Sequence, residues 1–280
     1  WGVSIEGSKV VQSTAGNISV TAVGSQGFYL LGSLIAGNSL TTPTSGGTIT
    51  INTTGNLGHG LQMNTGSLIA FGAISVTAVG SGKHTFYLYG TGGKIISASD
   101  ITISATQGTW GLTMYDNTFI QSTKANSSST GNISITSSGT SGGLHLNTTG
   151  GIYASSNTAT PTATPTAGGT ISINATGVSS YGTEIASGSL VSFGQISLTT
   201  SSSGLESLYL YGSGTVRSVG NFTMIGSTSG VSQWGVYLKD SRVIQSTAGN
   251  ISITSTSSAG HGIYISGGGL IAGNDTTTPT

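Results

Sequence analysis

The side chains able to do acid–base or metal chemistry are few: carboxylates at Glu6, Asp100, Asp116, Glu184, Glu206, Asp240 and Asp275, and histidines at His59, His84, His145 and His261. General acid–base work on a glycosidic bond needs two carboxylates, or a carboxylate and a cation, converging on one cleft. Asp116 and Asp240 follow the same apolar run in two copies of a longer repeat, which makes them turn residues by position. His59 and His261 each sit in Gly-His-Gly, His84 precedes Phe86, and His145 lies between Leu144 and Leu146. None pairs with another histidine or a cysteine at metal-ligand spacing. A Ser-His-Asp order, a phosphate loop and a dinucleotide fingerprint are also missing, and the Gly-x-Gly matches read as turns in a glycine-rich chain. The sequence therefore predicts no catalytic residue, no cofactor and no metal site, in a chain that is not an enzyme.

The composition points the same way. Of 280 residues 47 are glycine and 5% are charged; seven basic and seven acidic side chains cancel, and there is no cysteine. A neutral chain offers no field to steer nucleic acid, an anionic membrane or an acidic substrate. Without cysteine there is no disulfide framework and no thiolate metal site, which fits a secreted bacterial protein that crosses membranes unfolded. No signal peptide and no apolar run long enough to span a bilayer is found. Residue 1 is Trp1, in the middle of the pattern, so a longer parent chain is expected.

What positions the residues is a repeat. Gly-Asn-Ile-Ser-Val-Thr at 16 to 21 returns as Gly-Thr-Ile-Thr-Ile-Asn at 47 to 52 and as Gly-Asn-Ile-Ser-Ile-Thr at 131 to 136 and 249 to 254. The first apolar residue of each copy gives the series Ile18, Ile49, Ile74, Ile101, Ile133, Ile171, Ile196, Phe222 and Ile251, whose shortest steps (Ile49 to Ile74, Ile171 to Ile196) are 25 residues. Each period holds three short apolar runs bounded by glycine or polar turns. Run A alternates strictly (Ile18, Val20; Ile49, Ile51; Ile133, Ile135), as a half-buried strand does. Run B carries Phe28 and Leu30, Leu61 and Met63, Phe86 and Leu88 inward. Run C is shorter, as in Leu34-Ile35-Ala36 and Leu68-Ile69-Ala70. A period this small cannot bury its own apolar face and gains stability only by stacking on the next. The expected fold is all-β: a right-handed parallel β-helix, or β-solenoid, with three strands per coil and about 25 residues per coil plus loop insertions. At the usual strand spacing, nine rungs give a rod roughly 45 Å long. A hexapeptide period and calcium-binding nonapeptides, the marks of other solenoids, are absent, and a Greek-key sandwich would not produce the longer period described next.

That longer period is marked by Trp1-Gly2-Val3, Trp110-Gly111-Leu112 and Trp234-Gly235-Val236, so residues 1–280 read as one continuous solenoid built of four-coil superrepeats. The coil after each tryptophan carries a Thr/Pro insertion, at Leu40 to Ser45, Asn157 to Ala167 and Asp275 to Thr280.

By alternation the outward residue at the centre of run B is Ser4, Tyr29, Gln62, Tyr87, Thr113, His145, Glu184, Tyr209, Tyr237 and Tyr264 in turn. Tyr29, Tyr87, Tyr209, Tyr237 and Tyr264 form a candidate contact face for carbohydrate or for a second rod, because tyrosine offers large area at low entropy cost together with a hydroxyl. Strand propensity alone also accounts for them. The second position of run C reads Val11, Ile35, Ile69, Ile96, Ile120, Tyr153, Val191, Arg217, Ile244 and Ile271. Either the chain bends and buries both apolar positions, or Ile35, Ile69, Ile96, Ile120 and Ile244 form an external stripe covered by a partner, which would make self-association into fibres the work of that face. Asn17, Asn132 and Asn250 sit in Asn-x-Ser/Thr and are candidate glycan acceptors, although asparagine also suits the turn before each run A.

With Gly-Asn-Ile-Ser-Ile-Thr and Gly-Ser-Leu-Ile-Ala in view, the chain resembles the β-helical shafts of large bacterial exoproteins, namely filamentous-haemagglutinin-like adhesins and autotransporter passengers. The likeness covers all 280 residues and rests on repeat style. It implies an extracellular, secreted or cell-surface location, export through an outer-membrane barrel, and a structural or adhesive role in adhesion, aggregation or biofilm. Polysaccharide lyases and hydrolases resemble the same architecture, which keeps a polysaccharide-active enzyme as the alternative. The Ser/Thr columns of run A (Ser19 and Thr21, Ser134 and Thr136) resemble the faces of ice-binding β-solenoids, interrupted here by Asn52, Asn174 and Ile225.

Overall fold

A computed structural model describes residues 1–123, 130–155, 168–231 and 233–274. The insertions read at Asn157 to Ala167 and Asp275 to Thr280 lie outside the described residues. Among the described residues there is no helix. All strand pairs are parallel, and the chain winds about nine turns of a right-handed parallel β-helix, the hand that parallel crossovers take almost without exception.

Three columns of strands follow from the three apolar runs. In column A the repeat markers are direct register partners, Ile18 with Ile49, Ile49 with Ile74, and onward through Ile101, Ile133, Ile171, Ile196 and Phe222 to Ile251. Column B pairs in the order Val3, Phe28, Leu61, Phe86, Leu112, Leu144, Thr183, Leu208, Val236 and Ile263. Strands Ile101–Asp116 and Ile133–Thr148 run from A into B without a break, which joins the two columns into one 17-stranded sheet; column C is a separate 10-stranded sheet. The inward residues of all three columns meet in one continuous interior, where Ile49, Ile51, Leu61, Met63 and Leu68 are fully buried. Burial of each large aliphatic contributes about 1.5–3 kcal/mol. That gain exists only because the neighbouring rung closes over it.

The outward residues of column A carry no ionisable group. The first outward position is a hydroxyl on every rung, from Ser19 through Thr50, Ser75, Thr102, Ser134, Ser172, Ser197 and Thr223 to Ser252. Turns into column A are closed by a side-chain ladder. Asn17 Oδ1 accepts from the Thr48 amide at 2.9 Å, Asp100 Oδ1 from Asn132 at 2.8 Å, Asn132 Oδ1 from Thr170 at 2.9 Å and Asn221 Oδ1 from Asn250 at 3.0 Å. Asp116 and Asp240 are equivalent turn residues with φ of 60° and 64°; each accepts from a glycine amide of the preceding coil, Gly90 at 2.7 Å and Gly212 at 3.1 Å.

Column C corrects the external-stripe reading. Val11, Ile120 and Ile244 occupy the inner position, in register with Leu34, Ile95, Ile152 and Val216, because Val10, Phe119 and Val243 add an apolar residue at the start of those strands. The true second position is Gln12, Ile35, Ile69, Ile96, Gln121, Tyr153, Val191, Arg217, Gln245 and Ile271. Ile35 and Ile69 are 1% exposed, Ile120 and Ile244 fully buried, and Ile96 half-buried. Among the described residues, the outer positions of column C form no exposed apolar stripe. The three glutamines mark the superrepeat: the side-chain amides of Gln12, Gln121 and Gln245 donate to the carbonyls of Gly37, Ser155 and Gly273, each at the foot of the next coil's insertion. The described insertion, Leu40 to Ser45, is held by Asn38, whose Oδ1 accepts from the Thr44 amide at 2.9 Å, and buries Pro43.

Candidate functional site

One face of the rod gathers its tryptophans, its histidines and all but one of its tyrosines. The outer side of column B has Ser4, Tyr29, Gln62, Tyr87, Thr113, His145, Glu184, Tyr209, Tyr237 and Tyr264 in register at its centre. A second line stands just before the strands: Trp1, Gln26, His59, His84, Trp110, Gly142, Tyr181, Glu206, Trp234 and His261, stacked through His84↔Trp110 and Trp110↔Gly142 register and through bonds such as Gly27 N to His59 O and Ser207 N to Trp234 O. A third follows two residues after the centre and includes Tyr89, Tyr115, Tyr211 and Lys239. Every tryptophan, every histidine and every tyrosine except Tyr153 lies on this face. The three tryptophans share one line, four rungs apart.

The rings contact one another along the rod. Trp1 stacks on Tyr29 at 5.0 Å, Tyr87 on Tyr89 at 4.2 Å and on His84 at 4.5 Å, Tyr209 on Tyr237 at 5.0 Å, and Trp234 on Tyr264 at 5.1 Å. The predicted tyrosines therefore do share a surface. Tyr29, Tyr87, Tyr209 and Tyr237 are half-buried by their neighbours, and Tyr264 is exposed. Gly142 is needed here: a Cβ at that position would come within 2.1 Å of the Trp110 indole, which leans over the glycine to reach His145 at 5.0 Å.

At the middle of the face four polar groups form a chain. Tyr115 Oη lies 3.4 Å from His145 Nδ1, His145 Nε2 lies 3.5 Å from Glu184 Oε2, and the Tyr211 hydroxyl donates to Glu184 Oε1 at 3.0 Å. The 3.5 Å contact has the geometry of an ion pair, but burial pushes His145 down to about 4, so at neutral pH a neutral imidazole faces the carboxylate. The geometry assigns Nε2–H toward Glu184 and Nδ1 as acceptor from Tyr115. Burial raises the Glu184 carboxyl, the Tyr211 hydroxyl bond opposes that rise, and repulsion from Glu206 adds to it; the Glu206 carboxyl is raised by burial as well. His84, 5% exposed, is held at about 4 by burial first and by His59, Lys83 and His145 next, and its Nδ1 lies 2.8 Å from Thr113 Oγ1. Chemically, this chain can hold and pass a proton and can hydrogen-bond hydroxyl groups. Among the described residues no three of His, Asp and Glu group as a metal site.

Alternation of run B reveals the central line but not the one before it. That line had its own signal, an aromatic or polar residue immediately before glycine in Trp1-Gly2, His59-Gly60, Trp110-Gly111, Tyr181-Gly182, Trp234-Gly235 and His261-Gly262. The candidate glycan acceptors lie elsewhere: Asn17 and Asn132 sit in the turn ladder with Oδ1 engaged, and Asn250 is exposed on the last described coil. No protein-family model matches the chain, and no curated protein or solved structure matches it either.

Proposed function

We propose that this chain is a shaft segment of an extracellular bacterial surface or filament protein, a structural element that mediates adhesion or aggregation and makes its contacts through the aromatic face of column B. One observation carries the reading: every tryptophan, every histidine and all but one of the tyrosines lie on a single face of a rod whose column A outward residues carry no ionisable group. A scaffold with no contact to make has no need of that asymmetry, and aromatic residues with polar tips are enriched where proteins meet partners. The resemblance to bacterial adhesin shafts supports the location and the role. Carbohydrate and a second rod are the partners this surface suits; its neutrality argues against nucleic acid. Negative-stain images of the purified chain, with binding to glycan-coated surfaces, test the reading. Rods should bundle side by side or adhere, and a Tyr87→Ser, Tyr209→Ser, Tyr237→Ser variant should stay single and unbound. Wild-type rods that do neither would end it.

The alternative, a polysaccharide-active enzyme, is favoured by one feature, the raised Glu184 carboxyl in contact with His145 and flanked by Tyr211. A raised carboxyl is what a general acid requires. Incubation with a panel of polysaccharides should then release reducing ends with wild type and not with Glu184→Gln; no release from any substrate removes this reading.

A further inference from the structure

At the corner between columns B and C, one residue beyond Tyr211 at the edge of the aromatic face, lies a cavity of about 270 Å³ whose ionisable lining groups are Arg217 and Arg242, with Ser213, Thr215, Ser241 and Gln245 around them. Arg242 is 2% exposed, the largest of the fully buried side chains. Its Nη1 donates to Tyr211 O at 2.8 Å and its Nη2 to Gly188 O, two coils below. Residue 214, between the two coils, is a glycine that packs directly on the same carbonyl: a Cβ there would sit 2.2 Å from Gly188 O. No carboxylate pairs with Arg242 among the described residues, and its Nε–H is buried without an acceptor. Asp240, the nearest acid in sequence, is committed to the Gly212 amide at 3.1 Å. Arg217 lines the same cavity with its Nε donating to Gln245 Oε1 at 2.9 Å.

A buried cation is ordinarily paired, since desolvation costs several kcal/mol unless an anion or a full set of hydrogen bonds offsets it. Here the guanidinium groups of Arg217 and Arg242 line one cavity together with hydroxyls and backbone, and among the described residues Arg242 has no carboxylate partner and its Nε–H no acceptor. We infer that the cavity is a binding site for an oxyanion, a carboxylate, sulfate or phosphate group, held between Arg217 and Arg242 with Ser213, Thr215 and Ser241 as further donors. Planar guanidinium forks match oxyanions in geometry as well as charge. The site does not depend on the aromatic face, and neither reading falls with the other.

Isothermal titration calorimetry of the purified chain with sodium sulfate, sodium phosphate and sodium glucuronate at constant ionic strength tests it. Saturable binding of one anion per chain is expected for at least one of the three, and which one responds separates inorganic oxyanions from sugar carboxylates. Arg217→Gln should weaken the binding by about tenfold or more, the loss of one charge-assisted contact. That variant places at 217 the residue already present at the equivalent positions Gln12, Gln121 and Gln245, so the rod is expected to stay folded. Arg242→Thr, which copies Thr118 of the preceding superrepeat, should abolish it. No saturable heat with any of the three anions, or an unchanged affinity in Arg217→Gln, overturns the assignment whatever the fate of the Arg242 variant.

Discussion

Single side chains on the aromatic face make the rod sensitive to acid. His84 and His145 titrate near 4 in the fold against 6.5 for the free side chain. A depressed imidazole means that the unfolded chain binds protons the fold excludes, so this contribution to stability is complete above pH 6.5 and is lost as pH falls toward 4. The raised Glu184 and Glu206 carboxyls act in the opposite sense, because the folded form takes up their protons first as pH falls. Urea melts should therefore show lower stability at pH 5 than at pH 7, with a smaller difference in His84→Asn; equal midpoints at the two pH values would contradict this. Trp110 gives a second residue-scale outcome. Gly142→Ala must push the indole off His145, so its fluorescence emission should shift to the red, with a stability loss of about 1–3 kcal/mol from the forced displacement.

At the scale of elements, the C strands separate inward from outward positions in a way that mutation can read. Ile120 is fully buried in the inner line, whereas Ile96 is half-buried at the outer one. Ile120→Ala should cost about 2–5 kcal/mol, the usual price of an aliphatic deletion in a packed interior, and Ile96→Ala clearly less. Comparable losses at both positions in thermal melts would mean that the two are equally enclosed. The glutamine that follows Ile120 shows why alternation alone misplaced this strand. Gln121 faces away from the interior yet is 5% exposed, because its amide reaches across to the Ser155 carbonyl of the next coil. A polar residue can be buried on the outer side of a strand when a neighbouring turn covers it, and the period-two pattern then carries no information on exposure.

For the whole molecule, each rung contacts only its neighbours, so stability is a sum of rung and interface terms and opening proceeds from the ends. In this chain Leu144, Leu146 and Ile152, each with a rung on both sides, are fully buried. Amide hydrogen exchange should show strong protection over column A rungs Ile74–Gly80 to Ile196–Ser202, each paired on both sides, and weaker protection in the turns between columns. A single uniform protection factor along the rod would show that it opens all at once.

The coil length, the three apolar runs, the register of column A and the tyrosine line were legible in the sequence, because a parallel stack places equivalent residues of successive periods directly above one another and the inward side of each strand must be apolar. What the linear order left open was decided across coils. The line of Trp, His and Glu beside the tyrosines, the Tyr115 to Tyr211 proton chain and the pairing of Arg242 with a carbonyl two coils away join residues 25 to 54 positions apart. Their contacts depend on how far each turn lets one coil slide and on which glycines leave room. Local propensity does not encode such distances; only the closed stack fixes them.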